Sequence, residues 1–74
     1  MFIHHEPHVL HLAGTSMTLL YRSALLRCEG GQCLLILPGH PLDGVYRGPF
    51  NECRQLIDCW RDRGVLPLNF FMPG

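Results

Sequence analysis

Lysine is absent from this chain, and charge of either sign is sparse. Six arginines and six acidic residues make up 16% of the 74 positions and cancel to a net charge of zero with histidine neutral. An ordinary soluble domain carries roughly 25% charged residues. Neutral balance argues against a phosphate-binding surface, because sequence-independent affinity for nucleic acid comes from concentrated positive charge. The arginines at 22, 27, 47, 54, 61 and 63 are spread along the chain, so nucleic acid is demoted to an alternative that would need them to converge in space. Also missing is any run of the ~18 apolar residues that a membrane-crossing helix requires, and no membrane partner is expected. The opening MFIHHEPHVLHLAGTS has no basic stretch leading into an apolar one, so no secretion signal is expected. The expected compartment is the cytoplasm, where thiols are kept reduced.

Catalytic groupings are equally thin. GHPLDG and EGG lack the lysine and the strand–helix order of a phosphate loop. Ser16 and Ser23 have no nucleophile-elbow context. Asp58 and Asp62 stand at i, i+4 beside Arg54 and Arg61, where a solvated charge network is the expected reading. No enzyme activity is expected.

What the chain does have is apolar content, at 47% hydrophobic residues. A domain this small buries only about 60% of the surface its unfolded form exposes. Many apolar residues under few charges leave oily surface, which points to a homodimer or a protein-binding face.

One domain is expected, with residues 1–7 as a histidine-containing arm, 8–66 as the core and 67–74 as a hydrophobic tail. HVLHL at 8–12 reads as a short strand followed by an AGTS turn. The segment Met17–Cys28 fits a helix stripe and also a strand, although neither strand face is clean. Its sequel favours strand, because LLRCEGGQCLLIL is two apolar runs joined through Gly30-Gly31, a two-residue hairpin signal. A proline- and glycine-punctuated loop leads to a brief strand at 45–47. From 51 to 63 the periodicity predicts a helix, with Asn51 as N-cap and Glu52 in the first turn. Cys53, Leu56, Ile57 and Trp60 fall on its buried face, Arg54 pairs with Asp58, and Gly64 ends it. The expected fold class is α+β: a small antiparallel β-meander of three or four strands packed against one C-terminal amphipathic helix.

The run DGVYRGPFNECRQLIDCWRDRG covers about 22 of the 74 residues. Its Gly48, Pro49 and Phe50, followed by Glu52, Leu56, Ile57 and Trp60, resemble a strand–Gly-Pro-Phe–helix unit of small bacterial and phage proteins. The resemblance implies a fold fragment only, in which Pro49 breaks the strand and Phe50 buries the corner.

The hairpin places Cys28 opposite Cys33 as a non-hydrogen-bonded pair, with Cα atoms about 4.5 Å apart. Three readings stay open there: buried thiols acting as small hydrophobes, a disulfide, or half of a zinc site. For the metal alternative, the ligands are Cys28, Cys33, His4 and His8, with zinc as cofactor; otherwise no cofactor is called for. His8 and His11, an odd number of residues apart, should lie on opposite faces of a strand. One helix covers one sheet face, and the consecutive apolar residues LLIL at 34–37 offer apolar area to both. The expected interaction surface is therefore Leu35, Leu37, Leu66, Leu68, Phe70, Phe71 and Met72. The expected function is a non-enzymatic protein-interaction module, dimeric, acting by binding another protein.

Overall fold

The computed structural model describes residues 6–68. Strands β1 (His8–Ala13), β2 (Ser16–Tyr21), β3 (Ala24–Glu29), β4 (Gln32–Ile36) and β5 (Arg47–Gly48) are followed by helix α1 (Phe50–Arg63). The five strands form one antiparallel sheet in the order β1-β2-β3-β4-β5, a meander in which every neighbour in sequence is a neighbour in space. α1 packs on β3, β4 and β5, so the fold is the expected α+β meander with one strand more than four.

The additional strand arises at Arg22 and Ser23. These residues take positive φ, 49° and 68°, and make the two-residue turn that pairs Tyr21 with Ala24. Two left-handed central residues are what a type I′ hairpin requires, and its twist matches that of the flanking strands. The same turn recurs at Gly30 and Gly31, with φ of 59° and 81°, between Glu29 and Gln32. The turn also explains why no clean strand face could be read through 17–28. Crossing a two-residue loop shifts the alternation, so the buried series runs Leu19, Tyr21, then Ala24 and Leu26.

On the helix side, cross-strand rows line up as Leu19, Leu26, Leu35 and as Met17, Cys28, Cys33, Gly48. Leu56, Ile57 and Cys53 of α1 close over the first row and over β4 to complete the core. Leu35 and Leu37, expected on an interaction surface, are fully buried here. The reason is parity: residues with the parity of Cys33 face α1, so the open side of β4 carries Leu34 and Ile36.

The loop from 37 to 46 folds back on β4. Asp43 Oδ1 accepts from the Leu37 N–H at 2.8 Å, and the Gly44 N–H donates to the Leu35 carbonyl at 2.8 Å. Val45 and Tyr46 belong to this loop, which shortens the expected strand at 45–47 to Arg47–Gly48. Tyr46 lies across Gly48 so closely that a Cβ there would be 2.6 Å from its hydroxyl oxygen. Any side chain there would have to push the ring aside.

α1 begins one residue earlier than expected. Its N-cap is Pro49, in extended conformation and without a side-chain cap, so Asn51 lies inside the first turn. Proline suits the site because its fixed φ and missing N–H cost nothing at a helix start. Gly64 ends the helix in the left-handed conformation, φ 70°, and donates its N–H to the Trp60 carbonyl at 2.9 Å. Trp60 is only half-buried, with its ring edge-on to His40 at a centroid distance of 4.7 Å.

Candidate functional site

β1 forms one border of the sheet and bonds to β2 alone. All six of its residues are exposed, among them Val9 (57%), Leu10 (55%) and Leu12 (67%). Native edges are usually blunted by charge or proline, yet His8–Ala13 holds no arginine, aspartate or glutamate. Ala13 and Ser16 close the turn to β2, and Leu12 pairs with Met17 next. By the alternation of antiparallel pairs, the Leu12 N–H and C=O therefore point away from β2, to the free edge.

A bulge between Val9 and His11 interrupts this pairing. The inserted residue, Leu10, resets the alternation. His8 pairs with Leu20 and His11 with Thr18, so the two histidines share one face, contrary to the expectation from their odd spacing. That face, turned away from α1, continues from His8 through Leu20 and Leu25 to Ile36. Leu34 stands on the same face between Arg27 and Arg47.

On the helix side, among the described residues, α1 covers Leu19 and Tyr21 of β2 but leaves β1 and the Met17 end of β2 open. A groove of about 430 Å³ opens there, lined by Val9, Met17, Leu19, Cys28, Cys33 and Phe50 among others. Cys28 and Cys33 face each other across β3 and β4 with Cα atoms 4.0 Å apart, and their sulfurs are joined as a disulfide. Of the three readings open in the sequence, the structure thus holds the oxidised one. His8 lies on the opposite sheet face from both cysteines and does not join them; His4 is outside the described residues.

Cys53 is fully buried behind the groove, with Sγ 3.4 Å from the Cys33 carbonyl oxygen and 3.8 Å from that of Gly48. Burial pushes its thiol up to about 11, so it keeps its proton at neutral pH. Among the described residues no group of three or more histidine, cysteine or carboxylate side chains could hold a metal ion.

Of the other expected surface residues, Leu66 packs partly against the core and Leu68 is 87% exposed. Phe70, Phe71 and Met72 lie outside the described residues. The arginines do not converge on one surface. Arg22 bonds Asp58 and Asp62, Arg61 bonds the Arg22 carbonyl, and Arg54 bonds the Tyr21 hydroxyl. These contacts tie the β2–β3 turn to α1. The Arg54–Asp58 pair expected from their spacing is present at 3.9 Å.

Nothing in GHP marks its histidine as buried, and the burial of His40 is what the sequence does not reveal. The residue is 5% exposed. Its Nδ1 accepts from the Leu42 N–H at 2.9 Å, which places the neutral ring's proton on Nε2, where no hydrogen-bond partner is found among the described residues. Burial lowers its pKa below the ordinary 6.5, partly offset by the nearby Asp43 charge. Protonating Nδ1 would also break the bond from Leu42. The unfolded chain takes up this proton more readily, so the stability held by neutral His40 is complete above about pH 6.5 and is lost as pH falls below it. Urea midpoints should therefore drop between about pH 7.5 and 5.5, and by less in His40→Phe. Equal drops in both proteins would show that His40 is not the responsible group.

No helix among the described residues is long and apolar enough to cross a membrane. No protein-family model, curated protein or solved structure matches this chain.

Proposed function

We propose that this protein is a non-enzymatic interaction module of the cytoplasm that binds protein through its β1 edge, with a second copy of itself as the first partner. The observation that carries this reading is an edge strand that is exposed throughout, apolar and free of ionised carboxylates and arginine. An edge of that kind is a template for another strand, because each added pair satisfies backbone groups and covers side chains together. Antiparallel pairing of β1 with its own copy is self-complementary about a two-fold axis. It sets no like charges against one another. It also continues the apolar row beginning at Val9 into the neighbouring copy.

Leu12→Lys is the direct test. Leu12 is 67% exposed, so the change should leave the fold of a single chain intact while placing a charge against its symmetry mate. At micromolar concentration the wild type should sediment as a dimer and the variant as a monomer, with matching far-ultraviolet circular dichroism. A wild type that sediments as a monomer across that range would overturn the reading.

A further inference from the structure

Sulfur is concentrated in one row of the sheet. Met17 pairs with Cys28, and Cys28 pairs with Cys33, in consecutive strands. All three side chains line the same groove beside α1. Cross-strand neighbours on one face stand about 4.5–5.5 Å apart at Cβ, so the unbranched Met17 side chain reaches the cysteine pair without rearrangement of the backbone. The disulfide is a poor candidate for a structural staple. It spans a sequence separation of 5 within a hairpin that Gly30 and Gly31 already close, and short loops gain least from cross-linking. Cys28 is half-buried and borders the groove, where a small reductant has access.

We propose that the reduced Met17–Cys28–Cys33 row is a binding site for a soft monovalent metal ion, Cu(I), held by two thiolates and one thioether. A dithiol reductant delivers two electrons and two protons to the Cys28–Cys33 bond and itself becomes a disulfide. Two thiols result, and Cu(I) then displaces their protons to solvent. Thiolate and thioether donors select soft ions. Zinc prefers four nitrogen or sulfur ligands in a tetrahedron, and this row cannot complete that set. His8 and His11 sit on the opposite sheet face, and the Cys53 Sγ is turned to the Cys33 and Gly48 carbonyls. Cu(I) is satisfied by two or three soft donors. The groove wall around the row is mostly apolar, with Val9, Leu19 and Phe50, beside Thr15 and Glu29. This site does not depend on pairing of β1.

The experiment is an anaerobic titration of the dithiol-reduced protein, freed of reductant, with Cu(I) against bicinchoninate as competing chelator. The reduced chain should retain one Cu(I), and the oxidised chain should retain none. Cys28→Ser should abolish retention. Met17→Leu, which conserves volume and fold, should weaken it by at least about tenfold, since even outer partners of metal ligands are worth 10–100-fold. Cys59→Ser, on the helix, should bind as the wild type does. Circular dichroism confirms that each variant is folded before it is compared. The proposal is overturned if reduced wild type yields its copper to the chelator. It is equally overturned if Met17→Leu and Cys28→Ser bind unchanged, or if retention follows Cys59.

Discussion

Leu35→Ala should lower the stability of the folded chain by about 2–5 kcal/mol, the span measured for large-to-small changes in packed cores. Leu35 is fully buried, between Leu26 of the neighbouring strand and the helix. Its truncation removes transfer free energy and leaves a cavity that rigid neighbours cannot close. Small domains hold about 5–15 kcal/mol in total, so this one change removes a large share of it. Leu34→Ala, one residue earlier and on the open face, should cost about 1 kcal/mol or less. Urea denaturation of both variants at equal concentration makes the comparison. Equal losses would mean that the helix does not lie on the Leu35 side of the sheet.

The same pair of residues shows how far the sequence could be read. That LLIL is a strand with apolar side chains to both faces follows from composition and from the Gly-Gly hairpin. Which parity faces the helix does not, because four aliphatic residues in a row carry no polar mark. The marker lies elsewhere: Cys33 and Gly48 share a row, and Cys53 of α1 sits over their carbonyls. α1 itself was legible from the spacing of Cys53, Leu56 and Ile57, since a period of 3.6 has few rivals over 14 residues. The β2–β3 turn was not, because Arg22 and Ser23 lack the glycine or asparagine that usually signals two left-handed residues. Tertiary bonds from Arg22 to α1 compensate for the backbone cost, and no local pattern reveals such bonds. The Leu10 bulge was hidden for a similar reason: an inserted residue in HVLHLA looks like any other alternation. At the candidate site, the facing of Cys28 and Cys33 followed from hairpin geometry. The addition of Met17 to their row required the register of β2.

Asp58→Ala should destabilise the chain by about 2 kcal/mol, chiefly through a stranded hydroxyl. Oδ1 of Asp58 accepts from the Tyr21 hydroxyl at 2.7 Å and from Arg22 Nη1 at 3.0 Å. Tyr21 is 1% exposed; burial, and then its bond to Asp58, raise its pKa above the ordinary 10.0. The hydroxyl is therefore a proton donor throughout the physiological range, and losing its acceptor leaves a donor without water to replace it. The ion pair itself adds less, because the Asp58 side chain is 35% exposed and screened pairs contribute at most about 1 kcal/mol. Arg22, held at φ 49°, would keep its bond to Asp62 at 2.8 Å and the contact of Arg61 with its carbonyl. The β2–β3 turn should loosen without detaching. Tyr21→Phe removes the hydroxyl that Asp58 serves, so a double-mutant cycle isolates their bond. With both groups gone, the loss should fall short of the sum of the single losses by about 1 kcal/mol. Additivity within about 0.3–0.5 kcal/mol would mean that the two side chains do not meet. Slower hydrogen exchange at Ala24 in the wild type than in Asp58→Ala would place the effect at the turn, where the bond anchors the sheet to the helix.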